Sequence, residues 1–244
     1  MKLGTHLFKE YWHMVCHRTE LPNDGDFLKF KVPIGDVVIF NDSGNYFAFD
    51  NRCAHRGAFI YASEAGNQAN TCKYHGWTFK AGKLIIPLVD QFKGCNIGQA
   101  ALKEYRLDWC GDFLFVGIEP ENDLYGQLAG AAEYIENISF NISGRLHLSA
   151  YEYECSWTIA LENALEPYHI DMIHPRTLAT LKLESGTNTF HGVNSVWQAP
   201  IGNSRIKKQL EKLGRYFNID YGYQGYMSIF MFPFTMISST FGYS

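Results

Sequence analysis

Cys53-Ala-His55-Arg56-Gly57 and, further on, Cys72-Lys-Tyr-His75-Gly76-Trp77 are the two stretches whose reading decides the fold of this chain. Sixteen residues separate His55 from Cys72, and each stretch supplies one thiol and one imidazole. Two thiolates and two neutral imidazoles at such spacing have two uses. They can close a tetrahedron around a structural zinc ion. They can also hold a cluster of two irons and two sulfides, with both thiolates on one iron and both imidazoles on the other. The flanks separate these alternatives. Each stretch runs past its histidine to a glycine, where the missing Cβ lets backbone N–H groups approach closely, as hydrogen bonds to cluster sulfurs require. Zinc fingers usually keep like ligands together, as Cys-x-x-Cys and His-x-x-x-His.

The reading adopted is a Rieske [2Fe-2S] cluster bound by Cys53, His55, Cys72 and His75, whose reduction potential lies above that of an all-cysteine cluster. A structural zinc site is the rival. Working outward, 244 residues of 46% apolar composition suffice for one large domain or two smaller ones, each with its own core. The formal charge of −4, without a long block of one sign, gives no footprint for nucleic acid or an acidic membrane surface. The longest apolar run, Ser228 to Ile237, is too short to span a bilayer and contains Pro233. The first ten residues lack the apolar stretch of a secretion signal, so a cytoplasmic location is expected. Cys16, Cys95, Cys110 and Cys155 show no framework spacing, which fits reduced thiols.

Residues 26 to 116 read as short strands between turns. Phe27-Leu-Lys-Phe-Lys-Val alternates, Asp36-Val-Val-Ile-Phe is a β-branched run, Asn41-Asp-Ser-Gly-Asn is a turn, and Tyr46-Phe-Ala-Phe is another strand. Leu84 to Pro87 and Phe113 to Gly117 add more, and the polar Glu119-Pro-Glu-Asn-Asp marks a domain boundary. Beyond it, Leu124 to Glu136 is expected to be helical, Leu146 to Tyr153 alternates, and Trp157 to His174 reads as helix for most of its length.

That last segment holds Glu162-Asn163-Ala-Leu-Glu166-Pro167-Tyr-His169-Ile-Asp171-Met-Ile-His174-Pro175. Glu162, Glu166 and His169 share one face of a regular helix. His174 stands about 140° around from His169, so one metal ion could meet both only across a bend. Pro167 and Pro175 both disturb a helix. A histidine pair with a carboxylate suits a non-heme Fe(II) site with open positions for O2 and substrate. Alone, such a pair is more often part of a hydrogen-bonded core.

The two constellations in this order resemble the α subunit of the Rieske non-heme iron oxygenases, also called ring-hydroxylating oxygenases. The resemblance rests on the Cys53/His55 and Cys72/His75 loops with their Arg56-Gly57 and Gly76-Trp77 flanks, and on the acid-x-x-His-x-x-x-x-His pattern from Glu166 to His174. It implies an α+β fold: an antiparallel β Rieske [2Fe-2S] domain at 35–118 and a helix-and-sheet, helix-grip-like catalytic domain at 119–244. A segment at 1–34 would pack on the catalytic domain. It further implies that His169 and His174 bind a mononuclear Fe(II). Glu166 would be the acidic residue that links this iron to the cluster of a neighbouring subunit, and Asn163 a polar residue near the iron, although a helix-surface amide is as good a reading of Asn163. Most of the family has Asp where Glu166 stands; carnitine and glycine-betaine oxygenases are among the branches with Glu.

One departure stands out. The family completes its iron site with a carboxylate far downstream, and neither Asp171 nor Asp220 matches it. The catalytic domain is therefore expected to be incomplete at its C-terminus, to be completed by another polypeptide, or to use water as the third ligand. The implied partners are a ferredoxin or flavin reductase as electron donor, O2 and a small organic substrate, in a homotrimer or αβ hexamer. The alternative is a Rieske-type electron-transfer protein without oxygenase activity. Trp197, Tyr216, Phe217, Tyr223, Tyr226, Met227, Phe230 and Phe232 could line a pocket, with plain core as the preferred reading. Ser204 to Arg215 predicts an amphipathic helix with Ile206, Leu210 and Leu213 inward and a basic face outward.

Overall fold

A computed structural model describes residues 2–80, 82–95, 97, 100–144, 151–219 and 222–241. The expected alternation at Leu146–Ala150 and the candidate Asp220 lie outside these residues. The chain divides into two compact units, one of residues 1–108 and 114–121, the other of residues 109–113 and 122–244.

The first unit opens with α1 (Lys2–Glu10) and continues through β1 (Trp12–His17), β2 (Asp26–Val32), β3 (Gly35–Asp42), β4 (Asn45–Asp50), β5 (Ala65–Asn67), β6 (Thr78–Lys80), β7 (Lys83–Ile85), β8 (Glu104–Cys110) and β9 (Phe113–Gly117). Seven strands form one sheet in the order β1-β9-β8-β4-β3-β2-β5, while β6 and β7 pair apart from it. Residues 1–34 fall in this unit, where β1 joins the sheet. The β3–β4 turn is made as its composition demands. Ser43 and Gly44 both have positive φ, as a two-residue hairpin of right-handed strands requires. Asp24 Oδ1 and Asn41 Oδ1 accept their N–H groups at 2.8 and 2.7 Å. The core of the unit packs Phe27, Val38, Phe40, Phe49, Ile60 and Tyr61 together with Cys53, Cys72 and Trp77. Both cysteines of the two loops thus enter the apolar interior.

The second unit contains α2 (Leu124–Leu128), α3 (Ala132–Ser139), α4 (Trp157–Leu165), α5 (Ile170–Ile173), β10 (Thr187–His191), β11 (Asn194–Ala199), α6 (Ser204–Phe217), β12 (Tyr226–Met231) and β13 (Thr235–Thr240). Its four strands form an antiparallel sheet in sequence order. The helix expected at Leu124–Glu136 is present in two pieces joined by a 3-10 turn at Ala129–Ala131. The amphipathic helix is α6, capped by Asn203 Oδ1, which accepts the N–H groups of Arg205 and Ile206. Ile206 and Leu210 pack against the Leu181, Ile201, Tyr226 and Phe241 cluster, but Leu213 is exposed. No helix among the described residues is long and apolar enough to cross a membrane.

Candidate metal centres

The two loops of the first unit are built alike. In one, Gly57 N–H donates to Cys53 O and Cys53 N–H to Ala58 O; in the other, Gly76 N–H donates to Cys72 O and Cys72 N–H to Trp77 O. Both glycines close their turns at positive φ, +73° and +72°, a conformation that costs an L side chain but not glycine. Each loop is thereby folded back so that its thiol points into the core and its imidazole outward. Asn51 pins the first loop from below: its Oδ1 accepts the N–H groups of Ile60 and Tyr61, and its Nδ2 donates to Tyr61 O.

Cys53 and Cys72 are both buried and belong to the same apolar cluster. Burial pushes the Cys53 thiol above its ordinary range, while N–H groups of His55 and Arg56, aimed at the sulfur, pull the other way. At the surface, His55 Nδ1 and His75 Nδ1 stand 3.1 Å apart. Two imidazole nitrogens bound tetrahedrally to one ion at ordinary ligand distances would be roughly 3.4 Å apart. The His55 ring stacks on the buried Trp77 indole, centroids 4.6 Å apart and planes 17° from parallel, which fixes its orientation. Desolvation, with His75 and Arg56 adding to it, shifts the His55 imidazole below its usual pKa, a direction that favours the neutral form in which imidazole binds metal.

These donors form a thiol pair and an imidazole pair. Among the described residues, no three His, Cys, Asp or Glu side chains come together to hold a single ion. A tetrahedral zinc site needs four donors on one point, whereas a cluster with thiolates on one iron and imidazoles on the other needs two pairs. The arrangement fits the cluster.

In the second unit the long helix expected at Trp157–His174 is broken. Helix α4 ends at Leu165, Glu166 takes an extended conformation (φ −102°, ψ 131°), and α5 is a single turn. The cause is Pro167, which lacks an N–H and forces the residue before it out of the helical region. Glu162, Glu166 and His169 therefore do not share a helix face. Instead His169 and His174 cap the two ends of α5, and their ring centroids lie 5.3 Å apart, planes 69° from parallel. Two imidazoles on one ion stand roughly 5 Å apart by centroid, so the break supplies the bend that a regular helix would deny.

Glu166 Oε1 lies 2.8 Å from His169 Nδ1, and its Oε2 accepts the Tyr168 N–H at 2.5 Å. The bond from His169 is the largest cause holding the Glu166 carboxyl below its ordinary range, despite some desolvation. A carboxylate on Nδ1–H leaves Nε2 as the free donor and makes it more basic. His169, His174, Asn163 and Glu166 all line a cavity of about 460 Å3, within the usual size of small-molecule sites. Asp171 instead lines an adjoining hollow with Lys182 and Glu184. Glu166 engages the Nδ1 side of His169, and no carboxylate among the described residues completes a three-donor metal group with the two histidines.

Of the aromatics considered for a pocket, Trp197 and Tyr226 line this cavity. Met227 and Phe230 are buried in strands, while Tyr216 and Phe217 are exposed. The sequence reading passed over Asn188, Phe190, Ser195, Ser228, Met236 and Ser238, which also line it. Only strand register places them there, and β10 and β13 carry no strong strand signal of their own.

Two family models match the chain: the Rieske [2Fe-2S] domain over residues 11–91 and the ring hydroxylating alpha subunit catalytic domain over residues 143–243. The chain belongs to the Rieske oxygenase α-subunit family. For this α subunit the first domain implies a [2Fe-2S] cluster and the second a mononuclear iron. Among its relatives, the anthranilate 1,2-dioxygenase large subunit of Acinetobacter baylyi is 26% identical over 198 residues, 76% of this chain and 42% of the relative. The glycine betaine monooxygenase oxygenase subunit of Chromohalobacter salexigens is 30% identical over 182 residues, 72% of this chain and 40% of the relative. A crystal structure of a quaternary ammonium Rieske monooxygenase shares the fold with a TM-score of 0.78 at 23% identity, covering 97% of this chain and 63% of that one. This α subunit spans about two fifths of the length of those two curated relatives.

Proposed function

We propose that this chain is the oxygen-activating part of a terminal oxygenase that takes O2 and electrons from a ferredoxin or flavin reductase and hydroxylates, dihydroxylates or demethylates a small organic molecule. The observation that carries the reading is the His169–His174 pair lining a cavity of about 460 Å3 in a chain that also has the two Rieske loops. A bare electron carrier has no use for such a cavity.

In this reading Cys53 and Cys72 form the dry end of the cluster site, and His55 and His75, at the surface, form the face where a donor's electrons arrive. When bound, the cluster supplies single electrons and the mononuclear iron activates O2. Trp77 holds the His55 ring in its binding orientation. Glu166 keeps the proton of His169 on Nδ1 and so would turn Nε2 to the iron; as the family resemblance implies, it is also the group through which electrons from a neighbouring subunit would pass. Asn163 presents an amide to the cavity, where it can orient substrate or bound water. A third, carboxylate ligand is part of the proposal. A cytoplasmic homotrimer or αβ hexamer completes it, and the relatives' printed substrates, anthranilate and glycine betaine, set the range of molecules to try.

Oxygen uptake tests the proposal. The iron-loaded, chemically reduced chain and its His169→Ala variant are supplied in turn with small aromatic acids and quaternary ammonium compounds. Uptake stimulated by at least one compound in the wild type and absent in the variant is expected. Equal uptake in both would contradict it.

A further inference from the structure

The floor of the cavity beside His169 and His174 is one face of the four-stranded sheet. Alternate residues along a strand point the same way, and the register aligns Asn188, Trp197, Ser228 and Ser238 in one row across β10 to β13. Three of these four are polar. Tyr226, two residues from Ser228 on the same strand and so on the same face, is buried. Its hydroxyl donates to Ser238 Oγ at 3.1 Å. Ser238 is exposed and lines the cavity. Having accepted the tyrosine's hydrogen bond, it keeps its own O–H for another acceptor, and a donor polarised in this way is strengthened. Beside it Ser228 is nine-tenths buried, and its hydroxyl has no partner among the described residues. Buried hydroxyls are seldom left so, because the loss of water goes uncompensated. Leu165, Ile170, Leu178 and Met236 add apolar lining to the same cavity, and a few convergent polar groups set among apolar ones are what orients a ligand.

We infer that the Tyr226–Ser238 pair, with Ser228 next to it, is a hydrogen-bond-donating subsite. It selects small, partly apolar molecules that carry an oxygen acceptor, a carbonyl or a carboxylate, over plain hydrocarbons of the same shape. The claim rests on the oxygenase reading only in naming that molecule a substrate.

Equilibrium dialysis of indane, 1-indanone and indane-1-carboxylate tests it, against wild type, Ser238→Ala, Tyr226→Phe and the double variant. Phenylalanine at 226 keeps the ring that packs on Trp197 at 5.8 Å. Each single variant is expected to lose about tenfold in affinity for an oxygenated probe while indane is held as before. The double variant should lose no more than either single one, as partners in one relay do. A response confined to the ketone or to the carboxylate supports the inference and narrows the class to neutral or anionic acceptors. Unchanged affinity for both oxygenated probes, a parallel loss for indane, or no binding of any probe to the wild type would overturn it. Ser228→Ala is expected to unfold no earlier than wild type; a clear loss of stability would remove Ser228 from the subsite. Dialysis needs no iron, so its failure would leave the iron content and oxygen uptake on which the oxygenase reading stands untouched.

Discussion

Gly57 and Gly76 hold equivalent places in the two cluster loops, yet a methyl group added at each would meet different surroundings. Nothing lies within 4 Å of a Cβ at Gly57, whereas a Cβ at Gly76 would meet Pro87 Cγ at 3.2 Å. Gly57→Ala should therefore lower stability by about 1–2 kcal/mol, the left-handed penalty alone, and Gly76→Ala by more. Urea unfolding of the two variants checks the order; the reverse order would contradict the steric argument from Pro87. His13 makes a second prediction at this scale. Stacked on Phe8 and bonded through Nε2 to Phe8 O, it is lowered by burial from its ordinary 6.5 to about 4. Between these values the unfolded chain takes up a proton that the folded chain refuses. The contribution is thus fully present above about pH 6.5 and is lost as pH falls toward 4, by on the order of 3 kcal/mol. Chemical unfolding across that range should show the slope in wild type and a smaller one in His13→Phe.

Among the elements, the break between α4 and α5 matters most to the proposed iron site. Pro167→Ala restores a backbone N–H and frees Glu166 to turn helical, which would let α4 run on and swing His174 about 140° from His169. The variant should keep its sulfide and lose about one iron per chain, measured after iron loading and desalting; an unchanged iron content would contradict the role given to the proline. The need for a bend was legible in the sequence, because the five-residue spacing of the histidines and the 3.6-residue turn conflict. Its form was not, since a proline within a helix can kink it or end it. Strand β3 and the Ser43-Gly44 turn could be read from a β-branched run and a turn composition. Strand β1, Trp-His-Met-Val-Cys-His, could not: its histidines are buried because His13 bonds to Phe8 O and His17 caps the following turn, and no periodicity announces such bonds.

At the scale of the whole chain, each unit gathers one set of candidate metal donors. The first sinks two thiols in a core and leaves two imidazoles outside. The second breaks a helix over a sheet whose polar row only strand register could reveal. The α+β class and the Rieske and catalytic domains were legible because cluster and iron chemistry fix residue types and spacings; the histidine pair, proposed from the same kind of spacing, lines one cavity. The cavity floor was not legible, because Ser195, Ser228 and Ser238 acquire meaning only when strands align them. Iron and acid-labile sulfide per chain, after anaerobic Fe(II) loading and desalting, test the central claim of two separate centres most directly. About three irons to two sulfides are expected in the wild type, falling to about two irons with sulfide unchanged in His169→Ala. About two irons to two sulfides in both proteins, or zinc without sulfide, would contradict it.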